Sequence, residues 1–146
     1  MRLRSFRQGA SEFMPKLSEG QLTSIAQQFH DLSVSISQFR LDRIHEGAPL
    51  SDPGIVQLLG LQWSLLNTSS SFYIQAAQVT LADADSAVSQ ITAATNDANT
   101  AIKKLTVIDR VVSIASAAGA LAAAIMTGDM DQIAAAAKGV YTAVKG

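Results

Sequence analysis

The stretch LSEGQLTSIAQQFHDLSVSISQF, residues Leu17–Phe39, decides the fold. Its apolar positions lie three and four residues apart in strict alternation: Leu22, Ile25, Phe29, Leu32, Ile36 and Phe39. This alternation is the heptad seam of a coiled-coil-like helix, which is narrower than a general amphipathic stripe. It predicts a helix that buries one narrow face against a neighbouring helix.

The same stretch carries the signals that start this helix. Ser18 is a good N-cap, and Gln21 can bond back to it in a capping box. Leu17 and Leu22 stand on either side of the cap, where they can form a hydrophobic staple. We expect this first helix to cover about residues 18–45 and to end before the glycine and proline of the next linker.

Asp52 followed by Pro53 predicts the start of the second helix, as an N-cap followed by proline at the first helical position. We expect one long helix over about 53–105. Its second half has an unbroken seam with alternating spacing, which comprises Ala77, Leu81, Ala84, Val88, Ile91, Thr95, Ala98, Ile102 and Leu105.

The first half of that helix places its apolar residues on another phase, with Leu58, Leu61, Leu65 and Phe72. The hydroxyl-rich residues 67–71 precede the mismatch, and such side chains compete for backbone hydrogen bonds. We expect a kink, a phase shift or a short break there. A complete break would replace a rod-like molecule by a more compact bundle.

Two short helices are predicted to form a hairpin at about 107–127 and 129–145. Thr106 is the expected cap of the first, Gly128 its C-terminal stop, and Asp129 the cap of the second. Small residues recur every four positions along both helices and predict a close helix–helix seam. These residues are Ala115, Gly119, Ala123, Ala135 and Gly139.

The fold class is therefore all-α: an elongated antiparallel bundle with coiled-coil-like packing, about four helices, and one of them long. Residues 18–146 form one domain, and residues 1–17 form a basic, partly disordered arm. The chain has 146 residues, which suffices for one domain with a core. It has no cysteine, and this excludes disulfides and thiolate sites.

Charge is scarce in this chain. Charged residues make up 16% of the sequence, against roughly 25% in a typical domain. Residues 53–82 and 111–128 contain no charged side chain at all. A neutral face of amides and hydroxyls suits burial between helices or between protomers. The predicted interface in the first stretch comprises Gln62, Trp63, Ser69, Ser70 and Tyr73.

Basic residues cluster at two places and are the candidate contacts for a membrane or another anion. These residues are Arg2, Arg4 and Arg7 in the arm, and Lys103, Lys104 and Arg110 near the hairpin. Eleven basic and twelve acidic residues nearly cancel. We therefore expect no nucleic-acid partner.

The residues that could carry catalysis are few. His30 and His45 have no partner at metal-ligand spacing, and the serines at 69–71 lack the glycine elbow of a nucleophile. The nine glycines are scattered, so no phosphate-binding loop is predicted. We expect no enzymatic activity, no cofactor and no metal.

Function is therefore expected to be binding: a helical module that associates with itself or with a partner protein. The alternative is a membrane-active protein that uses residues 53–82 and 111–128. In outline, long Ala/Thr/Ser-rich helices with a small apolar hairpin resemble α-helical pore-forming toxins, a likeness of architecture that brings no motif residues. No signal peptide is seen, and the cytoplasm is the default expectation.

Overall fold

The computed structural model of the chain describes residues 16–76 and 80–146, apart from the side chains of residues 73, 75 and 76. It contains five helices, and no strand is present in this described part. They are α1 (Glu19–His45), α2 (Pro53–Ala76), α3 (Ala84–Lys104), α4 (Ile108–Thr127) and α5 (Met130–Lys145). The predicted all-α bundle is confirmed, with five helices instead of four.

Helix α1 begins as the sequence predicts. The Ser18 hydroxyl accepts a hydrogen bond from the Gln21 backbone N–H (3.1 Å), and the Gln21 side chain accepts one from the Ser18 N–H (2.8 Å). Leu17 and Leu22 are both buried. The sequence places Leu17 in the N-terminal arm, but in the structure this residue belongs to the core, and residues 1–15 lie outside the described part. All six residues of the α1 seam are buried.

The long helix predicted over 53–105 is two helices, α2 and α3. The hydroxyl-rich residues do not interrupt α2, because Thr68, Ser70 and Ser71 each donate to a backbone carbonyl four residues earlier in the same helix. α3 has its own N-cap, since the Asp83 carboxylate accepts from the Ser86 N–H at 2.9 Å. The phase mismatch after Phe72 therefore marks the change from one helix to the next.

Helices α4 and α5 form the expected hairpin. Gly128 adopts a left-handed conformation (φ 71°) that most residues avoid, and Asp129 accepts from the N–H groups of Asp131 and Gln132. Thr106 was predicted to cap α4, but the N-cap position is Val107, whose side chain forms no capping bond. The Thr106 carbonyl instead accepts from Arg43 of α1 (3.2 Å).

Two helical hairpins lie side by side in the bundle. Helix α1 packs on α2 and α3, and α4 packs on α2, α3 and α5. Three of the polar pairs that join α1 to α3 have the same separation of 64 residues: Gln21–Asp85, Gln28–Thr92 and Ser35–Asn99. The constant separation means that α1 and α3 run parallel in a fixed register. We call these pairs the α1–α3 polar ladder.

The core is aliphatic, with a single aromatic pair among its largest buried side chains. Phe29 of α1 and Phe72 of α2 are fully buried, with ring centroids 6.2 Å apart and an interplanar angle of 40°. This tilted geometry is one that aromatic pairs favour. The pair joins the two helices of the first hairpin across the core.

Helix α5 does not pack through the small residues predicted from the sequence. Ala135 and Gly139 are exposed, and a Cβ added at Gly139 would meet nothing within 4 Å. α5 instead buries Ile133 and Val140 against α3 and α4. Larger side chains gain more from burial than alanine does, so the apolar stripe decides which face of α5 packs.

Candidate interaction surface

Helix α2 carries a second seam, apolar at four of its five positions, on the side that faces solvent. Its positions are spaced 3, 4, 3 and 4 residues apart: Val56, Leu59, Trp63, Leu66 and Ser70. We call these five residues the α2 outer seam. Val56 and Trp63 are 54% and 53% exposed, Leu59 is exposed, and Leu66 is half-buried. The spacing is that of a helix that packs along another helix.

The inner face of α2 accounts for its packing within the bundle, so the outer seam is not needed there. Ile55, Leu58, Leu65 and Phe72 are fully or almost fully buried. Leu58, Leu65 and Phe72 lie on the side of the helix opposite to Val56 and Trp63, because successive residues turn by about 100°, and Ile55 lies between the two sides. The chain thus has an apolar seam on α2 in addition to the one that its own core uses.

The α2 outer seam has no charged residue of its own. Residues 53–82 are uncharged, and Ile74, one turn beyond Ser70, is 76% exposed. A cation contacts α2 at its edge, where Arg40 of α1 donates to the Ile55 carbonyl (3.3 Å) and the Gln62 side chain (3.5 Å). This arginine is turned to the α1–α2 groove.

The residues predicted as an interface divide between two faces of α2. Gln62 accepts from Arg40, and the Ser69 hydroxyl donates to the Ala26 carbonyl of α1 (2.8 Å). Both therefore serve the packing of α1 on α2. Trp63 and Ser70 lie on the outer seam, and the side chain of Tyr73 lies outside the described residues.

The basic residues that the sequence predicts as membrane or anion contacts also lie in different parts of the chain and differ in exposure. Arg2, Arg4 and Arg7 lie outside the described residues. Lys103 and Lys104 are exposed at the end of α3, but Arg110 is half-buried and donates to the Val144 carbonyl (2.8 Å). Arg110 thus ties the end of α5 to the start of α4.

The two histidines of the chain lie on α1, at its middle and at its C-terminal end. Both are exposed, and His30 Nδ1 lies 3.9 Å from the carboxylate of its neighbour Asp31. Among the described residues, no three or more His, Asp or Glu side chains come together as metal ligands do.

One helix of the described residues, α4, is long and apolar enough to cross a membrane by length and composition alone. Many core helices of soluble proteins satisfy the same two criteria. In the bundle, 44% of the most apolar part of α4 is buried, including Val111, Ile114 and Leu121.

Comparison of the chain with protein-family models, with curated proteins and with solved structures gives no match. The surface of the described residues therefore provides the observations that bear on function. Its most specific feature is the α2 outer seam, since an exposed tryptophan among aliphatic residues is typical of interaction sites.

Proposed function

We propose that this protein is a non-enzymatic interaction module that binds a helix, from a second copy or from a partner protein, along the α2 outer seam. The observation that carries the proposal is the heptad spacing of an exposed, uncharged seam on a helix whose other face already fills the core. A helix that packs in this way places its own apolar residues between those of the seam. Trp63, near the middle, would contribute most to binding.

Self-association is the form of this proposal that can be tested without knowing a partner. Molar mass is measured by light scattering during size-exclusion chromatography over a hundredfold range of protein concentration. The proposal predicts a mass that rises from that of the 15.4 kDa monomer towards a dimer. A monomer at every concentration would direct the search to a different protein as the partner.

Substitution on the seam tests the surface itself. Ser70→Arg places a charge on the seam and should weaken association, because burying an unpaired charge is unfavourable. Ser89→Arg, at an exposed position on α3, is the matched control and should associate like the unmodified chain. Circular dichroism should show equal helicity for both. Equal association of the two variants would count against the seam, whether the partner is a second copy or another protein.

A membrane-active role is the second proposal, and the length and composition of α4 favour it. In this case α4 would leave the bundle and enter the bilayer. Small residues dominate α4, and they gain less in lipid than leucine or phenylalanine. Flotation with zwitterionic and anionic vesicles at neutral and mildly acidic pH tests this role. Protein that stays at the bottom of all four gradients would refute it.

A further inference from the structure

A cavity of about 360 Å³ lies between the C-terminal halves of α1 and α3, away from the α2 outer seam. It forms where α3 ends before α1 does. In the register of the α1–α3 polar ladder, His45 at the end of α1 would face residue 109, but α3 stops at Lys104. The turn at Leu105 and Thr106 closes one side of the cavity.

The walls of this cavity combine an apolar floor with a cationic rim. Phe39 and Ile102 are buried and Leu105 is half-buried, so together they supply the floor. Lys103 and Lys104 line the cavity and are exposed. Among the described residues, neither lysine has a carboxylate within 4 Å.

Arg43 adds a third cation, and its position is fixed. Its guanidinium donates to the Thr106 carbonyl (3.2 Å) and the Glu46 carboxylate (3.0 Å), and lies 4.9 Å from the Phe39 ring centre. The side chain is 11% exposed, and its Nε is buried without a hydrogen-bond partner in the described part of the chain. A buried donor without an acceptor is unusual in a folded protein.

One carboxylate, Asp42, also lines the cavity, and it already accepts from Gln38 at 2.8 Å. Because Glu46 pairs with Arg43, the two cations left for a ligand are Lys103 and Lys104, which stand against Asp42 and leave the rim positive. The negative ends of the α1 and α3 dipoles favour cations here, and this accounts for part of the charge. They do not account for an open cavity with an apolar floor beneath those cations.

We propose that this cavity binds a small amphiphilic anion, a carboxylate with an aliphatic tail of about eight carbons. The tail would contact Phe39, Ile102 and Leu105, and the carboxylate would lie at the rim beside Lys103 and Lys104. Cavities of a few hundred Å³ with apolar walls and few polar groups are typical of small-molecule sites. Arg43 holds one wall of the site in place.

Four probes separate the contributions of head and tail. Octanoate, octan-1-ol and octylammonium each have a chain of eight carbons, and acetate has the carboxylate without the long chain. Each is titrated into the uniformly ¹⁵N-labelled full-length protein and followed through amide chemical shifts. Octanoate should bind with a Kd of about 1 mM or lower, the range expected for a ligand of this size. The other three should bind at least about tenfold more weakly.

The affected amides locate the site. Shifts at Ser35, Gln38 and Leu105 are expected, and shifts confined to α2 would overturn the assignment to this cavity. Octan-1-ol binding as tightly as octanoate would overturn the anionic preference. Acetate binding as tightly would show a simple anion site and overturn the role of the floor.

Lysine substitutions test the rim without disturbing the core. Lys103→Gln and Lys104→Gln should each raise the Kd for octanoate about two- to fivefold, as for loss of an exposed ion pair. Lys138→Gln removes the same charge from exposed α5 and should change the Kd less than about 1.5-fold, because salt screens distant charges. An equal rise in the Kd for octanoate in all three variants would show attraction to the overall charge of the protein and would refute the site.

Discussion

The hydroxyl of Thr95 offers the most direct test of the α1–α3 interface. Thr95 is 2% exposed, and its Oγ1 donates to the Gln28 side-chain oxygen of α1 at 2.6 Å. The carbonyls of Ile91 and Thr92 lie at 3.0 and 3.1 Å from the same oxygen atom. A hydroxyl has one hydrogen, so it donates to one acceptor at a time, and the short distance identifies Gln28.

Thr95→Val removes this donor and leaves a side chain of similar shape. The net contribution of a hydrogen bond between neutral groups is about 0.5–1.5 kcal/mol. Gln28 is half-buried, so water can reach its oxygen and little additional penalty arises. We expect the free energy of unfolding to fall by about 1 kcal/mol, which corresponds to a loss of about 2–4 °C in Tm.

Urea unfolding followed by circular dichroism at 222 nm measures this change, with Thr100→Val as the control at an exposed position on α3. The control should stay within about 0.5 kcal/mol of the unmodified chain. A double-mutant cycle with Gln28→Met isolates the pair. The double variant should lose less than the sum of the two single losses, because one hydrogen bond cannot be removed twice. Unchanged stability of Thr95→Val, or strictly additive losses, would refute the assigned contact.

Three further substitutions test the core, a close approach and a helix cap, each by urea unfolding. Phe29→Ala should cost about 3–5 kcal/mol, because Phe29 is fully buried against α2, whereas a loss below 2 kcal/mol would contradict that packing. Gly54→Ala should cost about 1–3 kcal/mol, because its Cβ would clash with Ile108 of α4, and Ile108→Ala in the same chain should remove most of that extra cost. Asp129→Ala should cost about 1 kcal/mol through loss of the α5 cap, and Asp131→Ala, which caps nothing, should cost less.

The parts of the fold that depend on local sequence could be predicted. The α1 seam is buried as its spacing indicates, and Ser18, Gly128 and Asp129 end or begin helices as expected. These signals are local, because a cap or a seam is set by residues within one or two turns. The start of α3 has such a signal too: Asp83 followed by Ser86 is a cap that the unbroken apolar spacing obscured.

Which helices pack against each other could not be predicted from such local signals in the sequence. The α1–α3 polar ladder repeats every seven residues on both helices, but polar residues at heptad spacing do not show which helix they meet. The same limit applies to the α2 interface. Trp63 and Ser70 are exposed on the outer seam, while Ser69, one position earlier than Ser70, faces α1 because it is turned by about 100°.

The two proposed functions require different states of the bundle, one opened and one folded. α4 contributes eight buried residues, so it could enter a membrane only after the core had opened. The α2 outer seam is available in the folded chain and needs no opening. If the opening that frees α4 also separates α1 from α3, Thr95→Val should raise the opened population about fivefold for its 1 kcal/mol.

Dye release from vesicles and self-association can therefore be compared in that one variant. Faster dye release with unchanged association would favour α4 as the active element. If the chain self-associates and neither measurement changes while unfolding shows the expected loss, association does not require separation of α1 from α3, as expected for binding through the exposed α2 outer seam. Because Thr95 lies between α1 and α3, the variant alters neither the outer seam nor the lipid affinity of α4 itself. A difference between the two measurements then reports on opening of the bundle alone.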